Sequence, residues 1–263
     1  MMHDYRPYYN TYSMCAPMVF AKDALFSRGS TKRISLINRL RDYVGLRDAP
    51  TLFSLHRKMS ERLFFDRTWQ SHDYGEGYFY QSFDRIGVRG LRDTKARVEA
   101  MGLRDLLRGK HVIDIGSNAG FLSLSLADVA KEVVGLENNP DLVAVGNLAR
   151  DYLRVHNVTF VTSSFEDFTT SKVADVILSF ANHSTYDGNT KQSVEEYFEK
   201  CKRLLHPGGL LIFESHHPTY ESPEALQHVV LVIERLFHIR ERKVLMAGTF
   251  FDRGRTYIVA ERS

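Results

Sequence analysis

The chain has 263 residues, 43% hydrophobic and 25% charged, enough for one sizeable core and a small appendage; 17 glycines and seven prolines exclude a fibrous or wholly disordered chain. Thirty-five Lys and Arg against 32 Asp and Glu give a net +3, and no apolar run approaches the roughly 18 residues that a membrane span needs. The opening MMHDYRPYYN lacks a basic-then-apolar export signal, and Cys15 and Cys201 cannot staple a framework, so a cytoplasmic protein is expected.

The near-neutral total hides an asymmetry: residues 1–70 carry +6 and the remainder −3. Ile34, Ile37, Leu40 and Val44 recur at helical spacing, as do Leu52, Leu55, Met59 and Leu63, which predicts two amphipathic helices in a basic N-terminal region spanning residues 1–90. That region reads as a helical cap on a main domain at 91–263, its charges either solvated or offered to a phosphate-bearing or anionic partner. From about residue 105 the texture changes to short apolar runs: HVIDI (111–115), EVVGLE (132–137), VTFVT (158–162), ADVILSF (174–180) and LLIFES (210–215). Four are followed by stretches long enough for a crossover helix, such as Phe121 to Ala130 and Asp141 to Tyr152. Apolar strands separated by helices predict an α/β, doubly wound parallel sheet covered on both faces. After the fifth run, LVIERLFHIRERKVLM leads toward a strand, GTFFDRG forms a turn region and RTYIVAER a last strand, an antiparallel closing pair.

The first strand ends on Asp114 and runs through Gly116-Ser117-Asn118-Ala119-Gly120 into a helix at Phe121. Glycines at the carboxyl end of a strand let the backbone approach a small ligand, and the next helix offers free N–H groups. A dinucleotide fingerprint requires G-x-G-x-x-G, whereas this loop reads Gly116-x-Asn118-x-x-Phe121, which disfavours NAD. The run resembles motif I of the class I S-adenosylmethionine-dependent methyltransferases, an acid followed by G-x-G-x-G, with Asn118 at the middle glycine. Asn tolerates a positive φ better than most residues, so the turn survives the exchange.

The resemblance continues from about residue 105 to 263 and implies a Rossmann-like, seven-stranded sheet with S-adenosyl-L-methionine as cofactor. It implies that Glu137, 23 residues after Asp114, bonds the ribose hydroxyls beside Asn138. Ser164 and Phe165 then fall at the adenine, with Glu166 as an alternative contact, while Ser117 and Ser179 line the same cleft. By likeness to pre-motif segments of the class, Tyr80, Gln81 and Arg92 meet the methionine carboxylate, Arg being suited to a bidentate contact; the alternative is that these aromatics and arginines pack the appendage onto the sheet.

The methyl acceptor is expected beside the fourth strand, which ends LSFANHSTYDGN. His183 is the candidate base, since an imidazole titrates near neutrality, with Asn182, Tyr186 and Asp187 positioning the acceptor. Glu214, His216 and His217 end the fifth strand. Adjacent residues of a strand face opposite ways, so a metal on both histidines is not expected; His216 and His217 read as acceptor-pocket residues. The resulting expectation is a methyltransferase acting on an oxygen of a small molecule or glycan, with RNA as the alternative acceptor for the basic cap, and a non-catalytic scaffold on the same fold as the third reading. A homo-oligomer is compatible with the sequence.

Overall fold

The computed structural model describes residues 29–65, 78–184, 191–218, 220–245 and 254–263. Seven strands form one mixed sheet: β1 (His111–Ile115), β2 (Glu132–Glu137), β3 (Val158–Thr162), β4 (Ala174–Phe180), β5 (Leu205–Glu214), β6 (His238–Leu245) and β7 (Arg255–Glu261). Their order is β3-β2-β1-β4-β5-β7-β6. The first five are parallel, and β7 inserts antiparallel between β5 and β6. The first four expected strands have the predicted bounds. The fifth begins at Leu205, ahead of the expected 210: Leu205 pairs with Ala174, while Gly208 and Gly209 bond the backbone of Arg262, and residues 207–209 form an irregularity within the strand.

Helices α1 (Gly29–Gly45) and α2 (Pro50–Ser60) precede a π-helical turn at Glu61–Phe65, and α3 (Thr94–Ala100) and α4 (Leu103–Leu106) lead into the sheet. The crossover helices are α5 (Phe121–Ser125), α6 (Pro140–Leu153), α7 (Val194–Leu204) and α8 (Pro223–Leu236). Local chemistry sets their starts: Asn139 caps α6 with Pro140 behind it, and Ser193 and Glu196 form a reciprocal capping box on α7. Helix α5 is half the expected length, and residues 163–173 join β3 to β4 without a helix.

Two apolar clusters sandwich the sheet. Val112, Val133, Val176 and Ile212 face Phe121, Leu124 and Val145 on one side; Ile113, Ile177, Leu211 and Phe213 face Phe198, Val230 and Ile233 on the other. Helix α8 is therefore a core helix. The pre-motif segment joins the first cluster through Tyr78, Phe79, Phe83, Ile86 and Val88. Both N-terminal helices form, yet they differ in packing. Leu55 and Met59 of α2 are buried, whereas Ile37, Leu40 and Val44 of α1 are exposed. Buried Asp42 anchors α1 by accepting from the Tyr78 hydroxyl and, at 3.2 Å, from Arg89 Nε.

Candidate active site

The loop after β1 carries three left-handed residues, Gly116 (φ 64), Asn118 (φ 56) and Gly120 (φ 72). Asn118 thus adopts the conformation of the glycine it replaces, and its Oδ1 accepts from Ala119 N at 2.8 Å. A Cβ on Gly116 would lie 2.7 Å from Asn182 Cγ. One on Gly120 would enter the Phe160 ring, for which Gly135 and Gly146 also leave room: a Cβ on either would come within about 3 Å of it.

At the end of β1, buried Asp114 Oδ2 accepts from Ser123 Oγ at 2.5 Å. Burial pushes the Asp114 carboxyl up to about 6, against the opposing pull of Ser123 and Arg97. Glu137 ends β2: its Oε2 accepts from Asn118 N at 2.9 Å and its Oε1 from Asn139 N at 3.0 Å, while burial raises its pKa. Asn138, between these donors, is half-buried. Ser117 is 1% exposed, and its hydroxyl is buried without a hydrogen-bond partner.

The pre-motif segment folds back on itself through a bridge between Gln81 and Arg92. Gln81 Oε1 accepts from Phe121 N at 3.1 Å and Leu122 N at 3.4 Å, so its side chain caps α5. Arg92 gives Nη1 to the Tyr80 hydroxyl at 3.0 Å and Nη2 to Glu214 Oε1 at 3.1 Å. Arg97 bonds the other Glu214 oxygen, and Arg255 Nε lies 3.8 Å from Glu214 Oε1. Although burial acts upward, Arg97, Arg92 and Arg255 hold the Glu214 carboxyl at about 2.

After β3, Ser164 Oγ donates to Asp167 Oδ2 at 2.7 Å and accepts from Asp167 N at 3.0 Å. Phe165 packs on Tyr197, with Lys200 over its ring. Glu166 accepts from Lys191 N and, at 2.8 Å, from Gln192 N, tying this turn to the loop after β4. Ser179 is wholly buried in β4, 2.9 Å from the Tyr197 hydroxyl.

Beyond β4, Ala181 adopts φ 58, a conformation costly for a residue with a Cβ, and its N–H bonds Glu214 O at 2.8 Å. After this sharp turn Asn182 donates to Ile115 O across the top of β1. His183 is 2% exposed; its Nε2 lies 2.6 Å from Glu221 Oε1, and its Nδ1 is buried without a partner. An ionised carboxylate only accepts, so Nε2–H is the donor of this pair. The second Glu221 oxygen accepts from His216 N at 3.1 Å, and the His216 ring packs 4.9 Å from that of His183. His216 Nε2 bonds Ser184 O at 2.9 Å, and burial together with His183 pushes its pKa down to about 4. His217 is half-buried beside Tyr220. Tyr186 and Asp187 lie outside the described residues, as does most of the GTFFDRG turn.

The structure therefore brings Asp114, Gly116, Ser117, Asn118, Gly120, Glu137 and Asn182 together at the carboxyl ends of β1, β2 and β4, the crevice where open α/β sheets bind ligands. Glu221, Arg97 and Arg255 escaped the sequence reading. Glu221 meets His183 across 38 residues and Arg97 meets Glu214 across 117, distances that leave no local pattern. The residues suit an adenosylated ligand. A carboxylate offers about four lone-pair sites, so Glu137 keeps acceptor capacity for a hydroxyl beyond the backbone N–H groups of Asn118, Asn138 and Asn139, and Ser117 supplies a buried, unpaired hydroxyl beneath the turn.

The family model described as a methyltransferase domain matches residues 106–241, half of the chain, and the chain belongs to this family, whose cofactor is S-adenosylmethionine. Among solved structures, the N-methyltransferase NodS from Bradyrhizobium japonicum WM9 in complex with S-adenosyl-L-homocysteine is 15% identical, with a TM-score of 0.54 over 79% of this chain and 98% of that one. A SAM-dependent methyltransferase from Aquifex aeolicus is 18% identical, with a TM-score of 0.51 over 66% and 91%. At these identities the likeness is one of fold: a Rossmann-like sheet with an antiparallel closing strand. The ubiquinone biosynthesis O-methyltransferase of Paraburkholderia phymatum is 27% identical over 124 residues, covering 44% of this chain and 48% of that protein. The chain thus spans about half the length of this curated relative. No helix among the described residues is long and apolar enough to cross a membrane.

Proposed function

We propose that the protein transfers a methyl group from S-adenosylmethionine to a hydroxyl oxygen of a small molecule or glycan, with residues 91–263 carrying the reaction and the N-terminal helical region as their cap. The observation that carries this reading is the buried pair of His183 and Glu221 beyond β4, with His183 Nδ1 buried and unpartnered. The O-methyltransferase among the relatives points the same way. Glu137 would hold the ribose, the turn at Gly116–Gly120 the methionyl portion, and Ser164 with the backbone at Phe165 the adenine. The cofactor supplies an already activated methyl on a cationic sulfur. What the chain adds is alignment, exclusion of water and removal of the acceptor's proton. His183 Nδ1 would take that proton, and Glu221 would hold the resulting imidazolium through Nε2. Asn182, bonded to the carbonyl that ends β1, sets the floor between cofactor and acceptor.

The test combines binding with transfer. Titration with S-adenosylhomocysteine should give micromolar affinity that Glu137→Ala weakens at least tenfold, about 1.4 kcal/mol. Methyl-tritiated S-adenosylmethionine offered with phenols, catechols, sugars, oligosaccharides or bulk tRNA should label a hydroxylated small molecule or glycan. Labelling of tRNA alone, with steep loss in salt, would replace this reading with RNA modification. Cofactor binding without transfer to any of them would favour the scaffold.

A further inference from the structure

Glu214 ends β5, level with Phe180 of β4 and Tyr257 of β7. It is wholly buried and meets guanidinium groups from three elements: Arg92 of the pre-motif segment, Arg97 of α3 and Arg255 of β7. Arg97 also stacks over the Phe180 ring, 5.2 Å from its centroid. Two donors stand idle in this cluster: Nε of Arg97 and Nε of Arg255 are buried with no hydrogen-bond partner. Buried, unpaired donors cost stability, and a ligand that completes them recovers that cost. The cluster's field reaches Tyr80 too: burial acts upward on its hydroxyl, yet Arg92, Arg255 and Arg97 bring it below the ordinary phenol value.

Arg255 stands at the start of β7, four strand positions from Glu137 across β1, β4 and β5. Its Nη1 donates to Ser215 O at 3.2 Å, next to His216, whose ring packs 4.9 Å from that of His183, so this arginine lies toward the acceptor side.

We propose that Arg255, with Arg92 and Arg97 on Glu214, forms an anion-binding subsite that holds a carboxylate or phosphate group of the methyl acceptor. This rests on the methyl-transfer reading above. The acceptor is then bifunctional, its hydroxyl toward His183 and its anionic oxygens toward the guanidinium fork, a geometry suited to planar, bidentate recognition.

The experiment uses the full chain saturated with S-adenosylhomocysteine and titrates benzoate, phenyl phosphate and the neutral benzyl alcohol. At least one anion is expected to bind at least tenfold more tightly than benzyl alcohol. Benzoate alone assigns a carboxylate acceptor, and phenyl phosphate alone a phosphorylated one. Arg255→Met should weaken the anion at least tenfold and leave S-adenosylhomocysteine affinity within twofold. Arg255→Lys, which keeps the charge without the fork, should fall between, with urea midpoints verifying that both variants fold. The proposal is overturned if folded, loaded wild type shows no preference for anions, or if Arg255→Met leaves anion binding intact. A tenfold loss of S-adenosylhomocysteine affinity in Arg255→Met would likewise overturn it by giving the arginine to the cofactor. Failure of wild type to bind S-adenosylhomocysteine would remove the methyl-transfer reading first, so the two failures are distinct.

Discussion

Replacing Glu214 with Gln leaves Arg92, Arg97 and Arg255 facing one another around a neutral amide. The wild-type carboxyl is held at about 2 rather than its ordinary 4.5, and the residue is wholly buried. Linkage turns that depression into about 3 kcal/mol of stability at neutral pH, comparable to the usual cost of removing one partner from a buried ion pair. The sign follows from the direction of the shift. A depressed carboxyl stabilises the fold above its unfolded value near 4.5, and that contribution is lost as pH falls from 4.5 through about 2. Urea unfolding of wild type and Glu214→Gln at several values from pH 7 to 3 should therefore show the variant about 3 kcal/mol less stable at pH 7, with the gap closing on acidification. A gap below about 1 kcal/mol at pH 7, or one that does not change with pH, would refute the claim that the three arginines hold this carboxylate.

Asp114 should behave in the opposite sense. Its folded value is raised to about 6 from 3.8, so the charged form is penalised and wild-type stability declines as pH rises through that window. Asp114→Asn, which still accepts from Ser123, should be more stable at pH 7 by up to about 3 kcal/mol and equal to wild type below about pH 4, as read from urea midpoints. Gly120→Ala forces a Cβ into the Phe160 ring at φ 72 and should cost upwards of about 2 kcal/mol in urea. Ala181→Gly relieves a left-handed alanine and should gain about 1 kcal/mol by the same measurement. Once an acceptor is found, Glu221→Gln should lower kcat about tenfold or more and distort the pH–rate profile with little change in KM; His183→Ala should lower it about 10²–10⁴-fold.

The sheet was readable because buried parallel strands are short, continuous apolar runs bounded by turn residues. β1 to β4 therefore fall on their predicted residues. β5 begins early because its first pairings are made with Ala174 and with the backbone of Arg262, partners invisible to a local pattern. The left-handed turn at Asn118 followed from a property of one side chain, and the structure reproduces it. Arg92 illustrates the limit. Among the described residues it meets Glu214, 122 residues away, a partner that no local pattern reveals. Gln81 was expected near the cofactor's methionyl end and lies on the N–H groups of α5, beside the same loop. The pairing of His183 with Glu221 depends on how the chain returns after β5, which no spacing rule encodes.

The placement of Gln81 also bears on how this chain can be recombined with its relatives. A chimera that takes the cofactor loop from this protein and the preceding segment from another imports a loop helix whose first N–H groups have lost their acceptor. Phe79 and Phe83 would no longer meet Phe121. The unit of exchange is thus longer than the motif: a junction upstream of Tyr78 carries the cap and its aromatic seat along with the loop, whereas one between Arg92 and His111 breaks both. Shuffling experiments should accordingly recover folded hybrids from the first kind of junction and few from the second.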